Sequence, residues 1–132
     1  MKSETEKTVV LPIWIFSGKN RYYLNMNQYH NWYYQLRGKI KKTFQKQVKD
    51  SLGFSFSGEI EIYYQYFAPD KRKRDLMNVI SVVDKFFQDA MSENGCIEDD
   101  NTRIVKKVTC KYMGVDTENP RIEATIKPYY AD

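Results

Sequence analysis

The sequence has few of the residues on which catalytic and metal-binding signatures usually depend. It contains one histidine, His30, and two cysteines, Cys96 and Cys110, whose spacing fits no zinc-binding pattern. We therefore expect a structural histidine and two free thiols rather than a zinc site or a disulfide. No glycine-rich phosphate loop is present and no Ser-His-Asp arrangement can be argued, so activated water is the one nucleophile left open.

Long apolar segments are also absent. No apolar run approaches the about 20 residues that a membrane-spanning helix needs. Residues 1–7 are polar and lack the apolar core of a signal peptide. These absences predict a soluble intracellular protein without membrane contact, with a flexible segment at residues 1–7. Length and composition fit one globular domain that covers residues 1–132.

Charge is distributed unevenly along the chain. Residues 1–50 contain ten Lys and Arg against three Asp and Glu, whereas residues 51–132 contain eleven against fourteen. Six of these acids lie between Asp84 and Asp100. A broad basic field attracts a polyanion, but the acidic cluster repels it unless divalent metal ions are bound there. The charge pattern thus favours a protein that binds nucleic acid and metal ions together.

Alternation of apolar and polar residues, together with turn composition, predicts the strands. They are Val9–Phe16, Glu59–Phe67, Arg103–Tyr112 and Arg121–Lys127. Pro12 interrupts the first and makes it an edge or bulged strand, and Ser17–Asn20 follows as a turn. Apolar residues at three-to-four spacing predict one helix over Asn27–Lys49 and another over Leu76–Glu93, which an Asn-Gly pair ends. The predicted fold is α+β, in the order β-α-β-α-β-β, with two helices packed on a mixed sheet.

The segment from Asp70 to Asp100 is the most informative part of the chain. Its four consecutive cations are Lys71, Arg72, Lys73 and Arg74, and its spaced carboxylates include Asp75, Asp84, Asp89, Asp99 and Asp100. Cations hold a phosphate backbone and clustered carboxylates hold Mg²⁺, so the pattern predicts hydrolysis of nucleic acid through bound metal. On a helical wheel, Asn78, Lys85 and Asp89 share one polar stripe, whereas Asp84 lies about 100° from Lys85.

Each piece of this segment also has a simpler interpretation. A single Asp on an amphipathic helix is most often solvated, and the basic run matches a solvated turn. Lys85 and Asp89 match a surface pair at i and i+4. Asp99 and Asp100 match a turn or a helix cap. Spacing alone does not establish that Asp75 meets them.

At these residues the chain resembles the RusA-like Holliday junction resolvase family. The signature of that family is a basic run, Arg-Asp-Leu-x-Asn, Lys-x-x-x-Asp-Ala-Leu, a Gly and an Asp-Asp pair. This chain has Arg74-Asp75-Leu76-Met77-Asn78, Lys85-Phe86-Phe87-Gln88-Asp89-Ala90-Met91, Gly95 and Asp99-Asp100. Asn20-Arg21-Tyr22-Tyr23, after an apolar Leu-Pro strand, is similar to the family's N-terminal loop. The resemblance covers most of the chain, from Leu11 to Ile126.

The resemblance implies roles for individual residues and for the assembly. It implies that Asp75 and Asp100 are metal-binding carboxylates and that Lys85 is the active-site lysine. It also implies a homodimer with one site in each subunit, so that two strands of a four-way junction are cut symmetrically. Members of the family are common in phages and prophages, which implies the cytoplasm of a bacterial host cell as the location.

The chain departs from the family pattern in two places. Many members carry a catalytic Asp where this chain has Met77, so another carboxylate is needed. We expect Asp89, which shares the stripe of Lys85, to supply it, with Asp84 and Asp99 as alternatives. The stretch between the family's Asn and Lys is also about four residues longer here, which adds about one helical turn and keeps the same face.

The leading hypothesis is a Mg²⁺-dependent endonuclease, with Mn²⁺ as a second suitable ion, that resolves Holliday junctions in DNA recombination and repair. The expected metal ligands are Asp75, Asp89 and Asp100. Lys85 would stabilise charge on the phosphodiester, and Arg21 with Lys71–Arg74 would hold the DNA backbone. A second hypothesis, prompted by Met77, is a junction-binding protein without catalysis. A third is an interaction protein whose charges are solvated, and none of the three needs an organic cofactor.

Overall fold

A mixed sheet flanked by helices forms the centre of the computed structural model, which describes residues 5–131. In chain order the elements are β1 (Lys7–Leu11), β2 (Trp14–Ser17), β3 (Asn20–Tyr23), α1 (Met26–Tyr29), α2 (Tyr34–Val48), β4 (Ile60–Ala68), α3 (Leu76–Glu93), β5 (Val105–Val115) and β6 (Arg121–Pro128). A 3₁₀ turn, Lys49–Ser51, follows α2. The predicted fold class, α+β with a mixed sheet, is confirmed.

The sheet has the strand order β1-β6-β4-β5, in which β4 and β5 run parallel and the other neighbours run antiparallel. A parallel pair needs a long crossover connection, and α3 supplies it. Every second residue of β4 is buried, and these residues are Ile60, Ile62, Tyr64, Tyr66 and Ala68. The ring of Tyr64 meets that of Phe87 on α3 edge-on at 6.4 Å. This row therefore marks the sheet face that the helices cover.

The other face of the sheet is less covered. Glu61 of β4 is in register with Lys107 of β5, and Gln65 is in register with Lys111. Glu61 and Gln65 alternate with the buried residues of β4, so this set points away from the helices. Lys107 and Lys111 are exposed there, at the sheet edge that β5 forms.

The first predicted strand is two strands in the structure. β1 ends at Leu11, before Pro12, and pairs with β6 at the sheet edge, as the proline predicted. β2 leaves the sheet and forms a hairpin with β3, which was not predicted. The turn between them is confirmed, and Gly18 there has a φ of 62°, which favours glycine. Lys7 begins β1, whereas residues 1–4 of the segment expected to be flexible lie outside the described residues.

The helix predicted over Asn27–Lys49 is interrupted in the structure. α1 is a single short helix, and α2 starts only at Tyr34. Between them Trp32 is buried and packs edge-on against two tyrosine rings, and Arg37 donates a hydrogen bond of 3.0 Å to the Trp32 carbonyl. His30, predicted to be structural, is the C-cap of α1. The observed order is therefore β-β-β-α-α-β-α-β-β rather than β-α-β-α-β-β.

The second predicted helix has the predicted bounds. Asp75 caps α3 by accepting a hydrogen bond of 3.0 Å from the backbone N–H of Met77. Asn94 ends the helix, and Gly95 follows with a φ of 74°. The buried residues of α3 are Ile80, Val82, Val83, Phe86, Phe87, Ala90 and Met91.

Two further expectations concern the state of the cysteines and the length of the apolar helices. Both Cys96 and Cys110 are free thiols, as predicted, and the Cys96 thiol donates a hydrogen bond of 3.3 Å to the Leu52 carbonyl. Within residues 5–131, no helix has both the length and the apolar character needed to cross a bilayer.

Candidate metal and nucleic-acid site

An acidic pair lies near the C-terminal end of α3. Asp89 belongs to the last part of α3, and Asp100 belongs to the loop before β5. A hydrogen bond joins their side chains. The chain reverses after α3 at Asn94 and Gly95, which brings the loop back to the helix. Two of the three carboxylates predicted to hold metal are therefore in contact.

The two carboxylates shift each other's pKa in opposite directions. The hydrogen bond with Asp89, together with burial, raises the pKa of Asp100 to about 6. Burial opposes ionisation of Asp89, but hydrogen bonds from Asp100 and Lys41 outweigh it and lower the pKa of Asp89. Asp89 is thus the ionised member, and Asp100 carries the proton in mildly acidic solution. A divalent cation can replace a proton that two close carboxylates share.

Two lysines border the acidic pair. The Nζ atom of Lys41, on α2, lies 2.7 Å from Oδ2 of Asp89, and this hydrogen bond raises the pKa of Lys41. Lys85, one turn before Asp89 on α3, is exposed, and its charge helps to keep Asp89 ionised. The sequence placed Lys85 beside Asp89 but did not identify Lys41. The only signal for Lys41 was the cationic face of its helix, which does not indicate a partner on another helix.

Asp99 touches the pair from one side. Its side chain is hydrogen-bonded to that of Asp100. Its two oxygens also accept hydrogen bonds from the backbone N–H of Asp100 at 2.8 Å and from the side-chain amide of Asn101 at 2.9 Å. In the part of the chain that the structure describes, no three Asp, Glu, His or Cys side chains converge on one ion position. A single chain therefore offers two paired carboxylates with a third at their edge.

Asp75 lies at the opposite end of α3. Fourteen residues separate it from Asp89, which corresponds to about 21 Å along a helix axis. Within one chain, Asp75 cannot share an ion with Asp89 and Asp100. Met77, which stands where the family carries an Asp, is 55% exposed at the same end as Asp75. The metal-binding role of Asp75 stays a prediction, and the structure gives it a second role as the helix cap.

Asp84 faces the sheet. Its Oδ1 atom accepts hydrogen bonds from the hydroxyl of Tyr64 and, at 2.8 Å, from the side-chain amide of Gln88. Burial, with the charge of Asp84 as a second cause, raises the pKa of Tyr64 well above its ordinary value. Asp84 is thus tied to a buried residue of β4 and is separated from Asp89 around the helix. Asp84 therefore contacts the sheet through Tyr64, whereas Asp89 contacts Lys41 on α2.

The cationic loop lies at the N-terminal end of α3. Residues 71–73 are exposed and, together with two tyrosines and Arg74, line a cavity of about 440 Å³. Arg74 forms an ion pair of 2.8 Å with Asp70, and this contact lowers the pKa of the Asp70 carboxyl. Three of the four predicted cations are therefore directed to solvent, while the fourth is held by a neighbouring acid.

Arg21 lies in the same region of the molecule as the cationic loop. Its guanidinium stacks 4.5 Å from the ring centre of Trp14 and 5.0 Å from that of Tyr23, and it donates a hydrogen bond of 2.9 Å to the Tyr23 hydroxyl. Tyr23 in turn lines a small cavity with Arg74. The fold thus brings together the residues that were predicted to contact DNA, at the end of α3 that lies away from the acidic pair.

The acidic pair fits a divalent cation of the Mg²⁺ class. Mg²⁺ in proteins keeps several water ligands and is bound through one or two carboxylates together with the phosphates of a substrate. Asp89 and Asp100 supply two such carboxylates, and Asp100 can act as a ligand once it has lost its proton. The site as a whole is an acidic pair set in a cationic surface.

No protein-family model matches the chain, and no similar curated protein was found. The resemblance to the RusA-like family therefore depends on the order and spacing of the motif residues.

Proposed function

We propose that the protein is a Mg²⁺-dependent endonuclease that cuts four-way DNA junctions as a homodimer in the bacterial cytoplasm. The observation that carries the proposal is the acidic pair of Asp89 and Asp100, which lie against each other and are bordered by Lys41 and Lys85. Such a pair on a basic surface suits a phosphodiester that binds together with a divalent ion. The motif resemblance supplies the junction as the substrate class.

The residues around the pair have separate tasks in this proposal. A divalent ion, when bound, supplies acidified water and neutralises charge on the phosphodiester. Asp89 and Asp100 would hold it. Lys41 keeps Asp89 ionised and fixes its orientation through the 2.7 Å contact between α2 and α3. Lys85 is exposed beside Asp89 and would hold a phosphate oxygen of the strand to be cut.

A homodimer would bring together predicted metal ligands that lie far apart within one chain. One chain keeps Asp75 about 21 Å from Asp89 along α3. A second copy is the route by which an Asp75 side chain can reach the acidic pair and supply a third carboxylate. A symmetric dimer also matches the two-fold symmetry of a four-way junction, because each of its two sites meets an equivalent strand.

A second candidate function is junction binding without cleavage. Two observations favour it: no three carboxylates converge on one ion position in the described part of the chain, and Met77 replaces an acid of the family pattern. The cationic loop would then hold the DNA backbone, and contacts of that kind recognise shape rather than sequence.

A synthetic mobile four-way junction, incubated with the protein in Mg²⁺, in Mn²⁺ or in EDTA, separates these candidates. We expect paired cuts that require either metal and that are lost in Asp100→Asn, while this variant still binds the junction. Binding that prefers the junction over a linear duplex, without any cutting in either metal, would support the second candidate. Equal binding to junction and linear duplex, without cutting, would contradict both.

A further inference from the structure

A long segment of the chain contains cations and no acids. Residues 7–49 include nine Lys and Arg and no Asp or Glu. Five of these cations lie on α2, and its exposed side forms, with α3, a groove of about 690 Å³. The proposed endonuclease activity uses only one of the five, Lys41. The other four cations of α2 have no role in the proposed endonuclease activity.

The cations that line this α2–α3 groove differ in their partners. Arg37 stacks 4.3 Å from the ring centre of Tyr29 and donates to the Trp32 carbonyl, so its guanidinium is occupied. Lys39 and Lys42 also line the groove and are exposed. Among the residues that the structure describes, neither takes part in an ion pair. Their ammonium groups are available to an external anion.

An exposed aromatic ring borders the same groove. Tyr34, the first residue of α2, lines it and is 86% exposed, and the neighbouring Tyr33 is 66% exposed. A ring with this exposure packs little of its surface in the free protein, so a partner that covers its face gains apolar burial. Cations beside an exposed aromatic ring are the arrangement by which proteins hold an unpaired strand, since the cations contact phosphates and the ring stacks on a base.

We propose that the α2–α3 groove binds an unpaired segment of a DNA strand, with Lys39 and Lys42 on its phosphates and Tyr34 stacked on a base. The choice of DNA rests on the proposed function. Lys85 lines the groove and also borders the acidic pair, so a strand in the groove passes next to the pair. The groove is separate from the cationic loop at the other end of α3. It would thus hold the strand at the branch point, where base pairing is interrupted.

Binding in EDTA, measured by fluorescence anisotropy, tests the phosphate contacts without cleavage. The ligands are a labelled four-way junction and a labelled single strand, and the double variant is Lys39→Ala with Lys42→Ala. We expect at least about 10-fold weaker binding to both ligands, and a log–log salt slope for the single strand that is flatter by about 1.4, since each lost contact removes about 0.7. An unchanged slope would overturn the proposal.

A matched control removes the same charge from another face. Lys107→Ala with Lys111→Ala also deletes two exposed lysines, but on the side of the sheet that points away from the helices. We expect this variant to lose less than half as much of the salt slope as the groove variant. Equal losses in the two double variants would show that only net charge matters and would also overturn the proposal.

The aromatic contact is tested by Tyr34→Ala and Tyr34→Phe. Alanine removes the stacking surface, so we expect binding of the single strand to weaken about 5-fold or more, whereas phenylalanine keeps the ring and should bind like wild type. No loss with alanine, or equal losses with both, would contradict a stacked base.

The groove and the endonuclease can fail separately. If the groove variants lose binding while the wild-type protein cuts nothing in Mg²⁺ or Mn²⁺, the groove proposal stands and the endonuclease proposal fails. If the wild-type protein cuts junctions, and the groove double variant binds and cuts equally well, the groove proposal fails and the endonuclease proposal stands.

Discussion

The two ends of α3 both carry carboxylates beside cations, but these carboxylates contact different groups. At the N-terminal end, Asp75 accepts the backbone N–H of Met77, and Asp70 accepts a hydrogen bond from Arg74 at 2.8 Å. At the C-terminal end, Asp89 and Asp100 are hydrogen-bonded to each other. Each carboxylate of the first end thus has a donor of its own, whereas Asp89 and Asp100 lie against each other and only Asp89 has a cationic donor, Lys41.

Helix electrostatics explain why the difference matters for metal binding. A carboxylate at a helix N-terminus is stabilised by unpaired N–H groups and by the positive end of the macrodipole. Carboxylates near the C-terminus meet the negative end of the dipole and each other's charge. Asp89 and burial together raise the pKa of Asp100 to about 6. A divalent cation therefore relieves more repulsion at the C-terminal end than at the N-terminal end.

The largest expected effect separates the acidic pair from Asp84 of α3. Asp100→Asn should abolish junction cleavage, and Asp89→Asn should reduce it by at least about 100-fold, the scale of losing one preorganised electrostatic element. Asp84→Asn should cost less, because Asp84 contacts Tyr64 and Gln88 rather than the pair. Cleavage rates at saturating Mg²⁺, with folding checked by circular dichroism, measure the difference. Wild-type rates in both pair variants would contradict the proposed site.

The next prediction asks whether the two ends of α3 meet across a dimer. Asp75→Asn and Asp100→Asn should each abolish cleavage as homodimers. In a mixture that has exchanged subunits freely, half of the dimers are mixed, and each mixed dimer has one site with both intact carboxylates. We therefore expect nicking activity to return to about a quarter of wild type on the basis of two sites per symmetric dimer.

The mixing experiment has a clear opposite outcome. If each chain builds its site alone, no mixed dimer contains an intact site and nicking stays at the level of the single variants. If Asp75→Asn by itself cuts like wild type, Asp75 acts only as the helix cap, and the two ends of α3 are functionally separate. Wild-type protein assayed alone at one quarter of the total concentration provides the reference rate.

The pH dependence of cleavage tests the ionisation of Asp100 in the acidic pair. Because the pKa of Asp100 is about 6, its ionised fraction falls from about 0.9 at pH 7 to about 0.1 at pH 5. Cleavage at subsaturating Mg²⁺ should therefore fall about 10-fold between these values. A decline centred near the ordinary carboxylate pKa of 3.8 would contradict the raised pKa of Asp100.

The raised pKa of Asp100 also makes the folding stability depend on pH. Asp100 binds its proton more tightly in the folded protein than in the unfolded chain, so its contribution is fully present below pH 3.8 and is lost as pH rises through about 6. The lowered pKa of Asp89 acts in the opposite direction, since its contribution is present above 3.8 and is lost in acid. Thermal unfolding of wild type and Asp100→Asn over pH 4–7, without metal, should show the Asp100 contribution only in wild type.

The ends of α3 also show which structural features the sequence could predict. The bounds Leu76–Glu93 were correct because the apolar period and the Asn-Gly stop are local signals, and the structure adds Asp75 as the N-cap. The break before Tyr34 was missed, because it depends on the burial of Trp32 against rings from β3 and α1. An aromatic residue at helical spacing gives the same sequence pattern whether it lies in a continuous helix or in a buried turn.

In the candidate site, too, the features set by local sequence were predicted and those set by packing were not. The stripe of Lys85 and Asp89 was predicted, since both lie on one helix at i and i+4. The contact of Lys41 with Asp89, and the placement of Asp75 away from Asp100, depend on how the elements pack. The family resemblance implied that Asp75 and Asp100 both bind metal, but spacing alone could not establish whether, or through one chain or two, they come together.

The smallest expected effect concerns Asp75 as a cap. Asp75→Ala should lower the free energy of unfolding by about 1 kcal/mol, whereas Asp75→Asn should change it little, because Asn accepts the same hydrogen bond from Met77. Urea denaturation measures both. Asp100→Asn serves as the comparison from the other end of α3, where removing one of two neighbouring carboxylates should leave stability at neutral pH unchanged or higher. If Asp75→Asn lost as much stability as Asp75→Ala, the charge of Asp75 at the dipole, rather than its hydrogen bond, would be what stabilises this end.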